Sequence, residues 1–430
     1  MAKLLILTHA YAPDHNPRAF RWQSLAEAFV RQGHVVHVVT ASGKPGQETL
    51  NGVTVHRVAE GGPGLLRQRL AAQTAVEATA KPVATSQKRG LLSRLSPWLR
   101  RLWRSFYWPD NTMLWVRPAA VQAEVLHRAH HFDGVISVSL PFSGHMAALK
   151  MHKKFPTLPW LVDVGDPFAF ETAMPLNNQR LYKHLNKVME GEVFRRASVV
   201  AVTTEGTRQM YLKFFHNPPG LAEKLVVIPP LVSLPEALPA KKTGNRLKLV
   251  FVGTLYRAIR SPQKLLELME ALERSPLSNR LEWHIIGNVH DTSDLFTLYT
   301  EAQKAGRLHL HGRVDRDAVA QYVADADVLV NIGNKTPYQL PSKVVEYVAT
   351  GKPVLNFAPI VEDSSAAFFA GYPAALTVYD HAPLPENAHK AEQFLTTLPK
   401  PVSANVRNAM VAPYLLPQVV QAYLHRLGLA

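Results

Sequence analysis

Ser342, Lys343 and Glu346, in the stretch YQLPSKVVEYVATGKP from Tyr338 to Pro353, are the side chains whose types and spacing carry most chemistry. Pro341 and Ser342 mark a helix start, and Gly351 followed by Pro353 marks its end. Val344, Val345 and Val348 fall on one stripe, by which such a helix packs. Glu346 lies beside that stripe, on the inner side, where a carboxylate needs a donor and a sugar hydroxyl suits it. The helix N-terminus offers free backbone N–H groups next to Lys343, a seat for diphosphate oxygens. A second set occurs in FVGTLYRAIRSP. There a strand ending in Gly253–Thr254 lets backbone approach a ligand, and Arg257 and Arg260 follow within reach of a phosphate. The same letters also describe an ordinary strand-to-helix turn with solvated arginines.

The elements that must position these residues alternate. The first 40 residues read strand, helix, strand: LLILT, then Trp22, Leu25, Ala26, Phe29 and Val30 at helical spacing up to Gly33, then VVHVVT. GVTVHRV, GVISVS, PWLVDV, SVVAVTT and KLVVIP continue the series. After Pro229–Pro230 a stretch rich in Pro, Ala and Lys reads as a linker. A second series then runs through LKLVFVG, LEWHIIG, RLHLHG, DVLVNI and PVLNF, with helices from Ser261, near Asp294, from Asp315 and at Glu346. The fold class is α/β: two doubly wound parallel-sheet domains in tandem, over 1–232 and 245–401, with ligands bound beyond the carboxyl ends of the strands in a cleft between them. A helical pattern over 402–430, interrupted at Pro413 and Pro417, is expected to cross back onto the first domain.

Several classes are excluded. Neither domain has a GxGxxG or GxxxxGK[ST] loop after its first strand, which argues against a dinucleotide dehydrogenase or a P-loop ATPase. The chain has no cysteine, so disulfides and thiolate metal sites are ruled out, in agreement with a reducing cytoplasm. No run approaches ~18 apolar residues, and the start does not read as a signal peptide. Asp325 and Asp327 read as a helix end and a strand start, and no metal is expected.

The formal net charge is +15, and the excess is concentrated. Between Leu65 and Arg104 nine basic residues face one acid, Glu77. Within an insertion at about 65–108, SPWLRRLWRSFYW places Trp98, Leu99, Leu102, Trp103 and Phe106 on one stripe, with Arg100, Arg101 and Arg104 off it. Such a helix suits an anionic bilayer through the Trp98–Trp108 region, or packs on the first domain. No nucleic-acid motif accompanies the charge, so no nucleic-acid partner is expected. The expectation is a cytoplasmic protein, peripheral to the inner face of the cytoplasmic membrane.

Taken in order, FVGTLYRAIRSP, RLHLHGRV, ADADVLVNI and QLPSKVVEYVATGKPVL resemble the nucleotide-binding domain of retaining GT-B glycosyltransferases of family 4, over nearly all of 247–357. The first domain's LTHAYAPDHNPRAFRWQSLAEAFVRQGHVVHVVT is similar to members acting on bacterial surface polysaccharides. The resemblance implies transfer of a sugar from a nucleotide-sugar donor, UDP-, GDP- or dTDP-linked, to a lipid-linked or saccharide acceptor, with retention of configuration and without a cofactor. It implies that Glu346 holds the ribose, and that Arg260, with Ser342, Lys343 and the helix N-terminus, meets the diphosphate. Gly253, Thr254 and Arg257 then line the first loop of that domain. His311, Gly312, Arg313 and Val314 fall by the base. Tyr338 stands where the family has the first glutamate of its Glu-x7-Glu motif, and Thr254 where many members have arginine. In the first domain, His9, Asp14, Asn16 and Arg18 occupy the loop that usually carries a Gly-Gly pair. His145 corresponds to a histidine that touches the donor sugar, or else packs in its helix. Asp166 orients the acceptor hydroxyl, or else forms a turn before Pro167. A GT-B-fold sugar-nucleotide epimerase and a non-catalytic sugar- or membrane-binding module are the competing readings. The epimerase would need more paired carboxylates than the sequence offers.

Overall fold

The computed structural model describes residues 1–61, 107–172, 174–234, 238–241 and 244–429. The basic segment 65–104 and the tryptophan-rich helix expected from Ser96 lie outside them. Trp108, at the end of that stretch, faces inward and donates from its indole to Asn186 Oδ1 at 3.0 Å.

The chain divides into two compact units, one made of Met1–Thr203, Arg208–Ile228 and Val420–Ala430, the other of Thr204–Thr207 and Pro229–Val419. The first holds an eight-stranded sheet in the order β3-β4-β2-β1-β5-β6-β7-β8. Its strands are β1 (Lys3–Leu7), β2 (Val35–Thr40), β3 (Gly46–Leu50), β4 (Val53–Arg57), β5 (Gly134–Ser139), β6 (Trp160–Val164), β7 (Val199–Val202) and β8 (Leu225–Val227). All pairings are parallel except β3 with β4. The central strands are buried on both faces, which is why they read as Val/Ile/Leu-rich runs. Helices Pro17–Arg31, Val116–His130, Ser143–His152 and Gln179–Arg196 belong to the same unit.

The second unit holds six parallel strands in the order β11-β10-β9-β12-β13-β14. These are β9 (Leu247–Val252), β10 (Leu281–Ile286), β11 (Leu308–Gly312), β12 (Val328–Ile332), β13 (Val354–Ala358) and β14 (Ala375–Tyr379). One core lies between the sheet and the Gln263–Glu273 and Leu384–Thr396 helices, and another is built on Val344, Val345 and Val348 of the Ser342–Thr350 helix.

Two elements depart from the sequence reading. β3 was not anticipated because GQETL is polar and almost fully exposed, on an antiparallel edge. Its signal was the Asn51–Gly52 pair, both at positive φ (47° and 85°), the two-residue hairpin turn that Asn-Gly favours. The second departure concerns 402–430. Residues up to Val419 stay with the second unit, and only Val420 onward joins the first. Val402 N–H donates to the Gly351 carbonyl (3.1 Å), Arg407 donates to the Ala349 carbonyl (2.8 Å), and Val411 is buried in the core around Val345. The return is made by the Leu416–Arg426 helix, whose Tyr423 hydroxyl donates to Asp163 Oδ1 at 2.6 Å and accepts from Arg21 at 2.8 Å.

Candidate functional site

Strand order reverses between β9 and β12 in the second sheet and between β1 and β5 in the first. A crevice opens at such a point beyond the carboxyl ends of the strands, because the connections leave in opposite directions. The loops that follow these four strands carry most of the residues singled out from sequence.

After β9, Gly253 and Thr254 lead into a loop closed by Tyr256 N–H to the Arg260 carbonyl (3.1 Å) and Arg260 N–H to the Tyr256 carbonyl (2.7 Å). The Arg260 guanidinium donates to Asn334 Oδ1 at 2.8 Å, which ties this loop to the one after β12. Its Nε–H is buried without a partner. Among the described residues it makes no ion pair. Burial lowers its pKa, against the raising fields of Tyr347, Asp363 and Tyr256. A half-buried cation with an unused N–H is a group that gains by meeting an anion.

Pro341 leads into the Ser342–Thr350 helix, and no side chain caps its first N–H groups. Ser342 is exposed there. Lys343 and Glu346 are both present on this helix, but they bind each other: Lys343 Nζ lies 2.5 Å from Glu346 Oε2. Their spacing of three residues puts them one above the other on the helix surface.

Three expected ligands are placed otherwise. Arg257 turns toward 291–294, donating to the Asp291 carbonyl at 3.0 Å and pairing with the Asp294 carboxylate. Its backbone N–H also binds Asp291 Oδ1 at 3.0 Å, so the turn itself commits this side chain away from a phosphate. Tyr338 is 5% exposed, since the loop folds its ring inward. His311 belongs to β11 rather than to the loop after it. Its Nδ1 meets the Tyr322 hydroxyl at 3.0 Å and its Nε2 meets His284 Nδ1 at 2.9 Å. Arg313 is exposed on that loop, and Val314 packs against the core around Val344.

Asp363 was missed. It caps the Ser364–Phe369 helix by accepting from Ala366 N–H at 2.6 Å, and burial pushes its pKa up to about 6. Aspartate before Ser-Ser and an apolar run is a readable N-cap signal, but its field on Arg260 comes only from the fold.

In the first unit, His145 sits in the first turn of the Ser143–His152 helix and is 1% exposed. Buried Asp110 anchors that turn, accepting from Ser143 N–H (2.8 Å) and its hydroxyl (2.7 Å) and from Thr112 N–H (2.9 Å) and its hydroxyl (2.7 Å). Ser137 Oγ accepts from the Trp160 indole at 2.8 Å and lies 2.8 Å from His145 Nδ1. With the Ser137 hydroxyl donating its proton to Nδ1, the arrangement that uses this donor, the imidazole carries its own on Nε2. That Nε2–H is buried without a partner. Burial, with the field of Arg18, lowers the His145 pKa to about 3, so the ring is a neutral donor at pH 7.

Asp166 lies in the loop after β6, with Arg18 3.7 Å from its carboxylate. Arg18 lies flat on Gly165, where a Cβ would come within 1.8 Å of the guanidinium. Asp163, three residues earlier, is the structural acid: it is 2% exposed and takes the Tyr423 hydroxyl and the Trp22 indole. The loop is held by Glu190, a fully buried carboxyl that accepts from Phe168 N–H (3.2 Å), Ala169 N–H (3.0 Å) and the Tyr211 hydroxyl (2.7 Å). Of the first-loop residues, Asn16 caps the Pro17–Arg31 helix through Ala19 N–H, Asp14 accepts from the Ser42 hydroxyl at 2.5 Å, and His9 lies 3.4 Å from Glu60.

Residues 246–365 match the family described as glycosyl transferases group 1, and residues 19–230 match the glycosyl transferase 4-like domain. The chain is a GT-B glycosyltransferase of family 4 type. The glycosyltransferase is similar in fold to sucrose-phosphate synthase from Thermosynechococcus elongatus, at 13% identity and a TM-score of 0.61 over 99% of this chain and 98% of that one. It is similar to the Anabaena protein HepE solved with UDP and glucose, at 15% identity and a TM-score of 0.56 over the full length of both. The apo lipopolysaccharide outer core galactosyltransferase WaaB gives 12% identity and a TM-score of 0.58 over 99% of each chain. No curated protein sequence matches this glycosyltransferase. Among the described residues no helix is long and apolar enough to cross a membrane.

Proposed function

We propose that this glycosyltransferase moves a sugar from a nucleotide-sugar donor to a lipid-linked or saccharide acceptor in bacterial surface-polysaccharide assembly, with retention of anomeric configuration. Arg260 is the observation that carries the reading: a half-buried guanidinium at the strand-order reversal, held by Asn334, with an N–H to spare. HepE, solved with UDP and glucose, and the galactosyltransferase WaaB point the same way.

Breaking the bond between anomeric carbon and phosphate leaves negative charge on a nucleoside diphosphate. Arg260, Lys343 and the uncapped N–H groups at Ser342 stabilise that charge as it develops. Lys343 would exchange Glu346 for a phosphate oxygen, which frees Glu346 for the ribose hydroxyls. The cations neutralise the leaving group, so no metal is assigned a step. With the acceptor attacking from the leaving-group side, a phosphate oxygen takes its proton and no side-chain base is needed. In the first unit, the His145 Nε2–H is a donor for a sugar hydroxyl, and Asp166 beside Arg18 orients the acceptor.

A peripheral site at the cytoplasmic membrane face is supported by the Gln179–Arg196 helix. It exposes Leu181 (61%), Leu185 (39%) and Val188 (50%) along one face. Arg180, Lys183, Lys187 and Lys213 border the adjoining groove. Apolar residues ringed by cations fit an anionic bilayer.

A thermal-shift screen against UDP-, GDP- and dTDP-sugars tests the donor, since a ligand that binds only the folded state raises Tm. One nucleotide class should raise it, and an added acceptor should yield a product whose anomeric NMR signal keeps the donor's configuration. Epimerisation of the donor without acceptor, or inversion, would overturn the proposal.

A further inference from the structure

Away from the strand-order reversal, the edge of the second sheet gathers side chains that the transfer reaction does not use. Glu282 and His284 alternate on β10, and His309 and His311 alternate on β11. Parallel pairing sets His284 directly opposite His309. Period-two spacing on both strands therefore puts all four side chains on one face. Glu282 Oε1 lies 2.9 Å from His284 Nε2 and 3.2 Å from His309 Nε2. The three ligand atoms converge within 4.8 Å of one another.

We propose that Glu282, His284 and His309 form a binding site for a divalent transition-metal ion of the Zn²⁺ class. Two imidazoles and one carboxylate are a donor set that this class prefers over Mg²⁺ or Ca²⁺. Ligand atoms around a tetrahedral Zn²⁺ stand about 3.3 Å apart, given bonds of about 2.0–2.1 Å, so the two spacings to Glu282 need little adjustment. His309 is 34% exposed and Glu282 20%, which leaves an entry path and room for water as the fourth ligand. The outer partners are also in place. His284 Nδ1 meets His311 Nε2 at 2.9 Å, and His311 Nδ1 meets the Tyr322 hydroxyl at 3.0 Å. Binding through His284 Nε2 requires the proton on Nδ1. The chain accommodates it: His284 Nδ1–H donates to His311 Nε2, and His311 Nδ1–H donates to the Tyr322 oxygen. Fixing a ligand's tautomer in this way is what supporting partners do in known metal sites. Occupancy would bridge the edge strand β11 to β10.

The test is calorimetric titration of the chelator-treated full chain with Zn²⁺ alone, for wild type, His309→Gln and Glu282→Gln. His309 and Glu282 are partly exposed, so both variants should fold, which Tm without metal verifies. Wild type should bind one Zn²⁺ that each variant weakens at least tenfold, and Co²⁺ should give the intense visible band of a four-coordinate site in wild type only. With 19 histidines in the chain, surface binding elsewhere is the alternative, and it would leave affinity unchanged in both variants. That result, or no stoichiometric binding by wild type, would overturn the site.

Discussion

Replacing Glu190 by Gln removes a large pH-dependent energy from the folded protein. Glu190 is fully buried, and burial drives its pKa up from 4.5 to about 7, against the lowering effect of its three donors, Tyr211, Ala169 and Phe168. The folded protein therefore holds a proton between pH 4.5 and 7 that the unfolded chain releases. Stability from this group is fully present below pH 4.5 and is lost as pH rises through 7. At 1.36 kcal/mol per pH unit, the loss is about 3 kcal/mol. Glutamine cannot titrate, so the stability difference between wild type and E190Q should shift by about that amount across the window, in favour of the variant at high pH. Urea unfolding of both proteins at pH 4.5, 6 and 8, followed by tryptophan fluorescence, reads the difference. A difference that stays constant with pH would refute the reasoning, because the carboxyl would then titrate alike in both states.

Three more predictions follow from the placements. Arg257→Ala should leave nucleotide diphosphate affinity within about twofold in calorimetry, since Arg257 is committed to Asp291 and Asp294 and an exposed pair is worth ~0–1 kcal/mol. A loss of tenfold or more would put Arg257 back in the site. Asp110→Ala leaves buried donors at Thr112 and Ser143 unmet and should cost about 3 kcal/mol, seen as a lower urea midpoint; an unchanged midpoint would show that the anchor is dispensable. Leu181→Asp combined with Val188→Asp should cut co-sedimentation with anionic vesicles several-fold, and unaltered binding would dismiss the Gln179–Arg196 helix as the docking face.

How far the fold was legible depends on what makes each element. Parallel strands covered on both faces, such as β5 and β9, are rich in Val, Ile, Leu and Phe, so GVISVS and LKLVFV stand out in sequence. An exposed antiparallel edge such as β3 carries no such requirement. The helix at Ser342 was equally plain, because proline, a valine stripe and glycine bracket it. Side-chain partners were less legible. Nothing local says that Arg257 will meet Asp291, that Asp110 will anchor the turn bearing His145, or that Glu190 will hold the loop of Asp166. Those contacts span 21 to 34 residues and exist only once the sheets are assembled. The pairing of Lys343 with Glu346 is the exception: the three-residue spacing on a helix could have announced it.

The central claim is that the second unit binds the diphosphate of a sugar nucleotide through Arg260. Calorimetric titration of wild type and Arg260→Ala with UDP, GDP and dTDP tests it most directly. A charge-assisted hydrogen bond of about 1.5–3 kcal/mol corresponds to roughly 10- to 100-fold in Kd. The account predicts that one nucleotide binds wild type and loses at least tenfold in affinity in the variant at unchanged fold. Equal affinities in the two proteins, or no binding of any of the three by wild type, would contradict it.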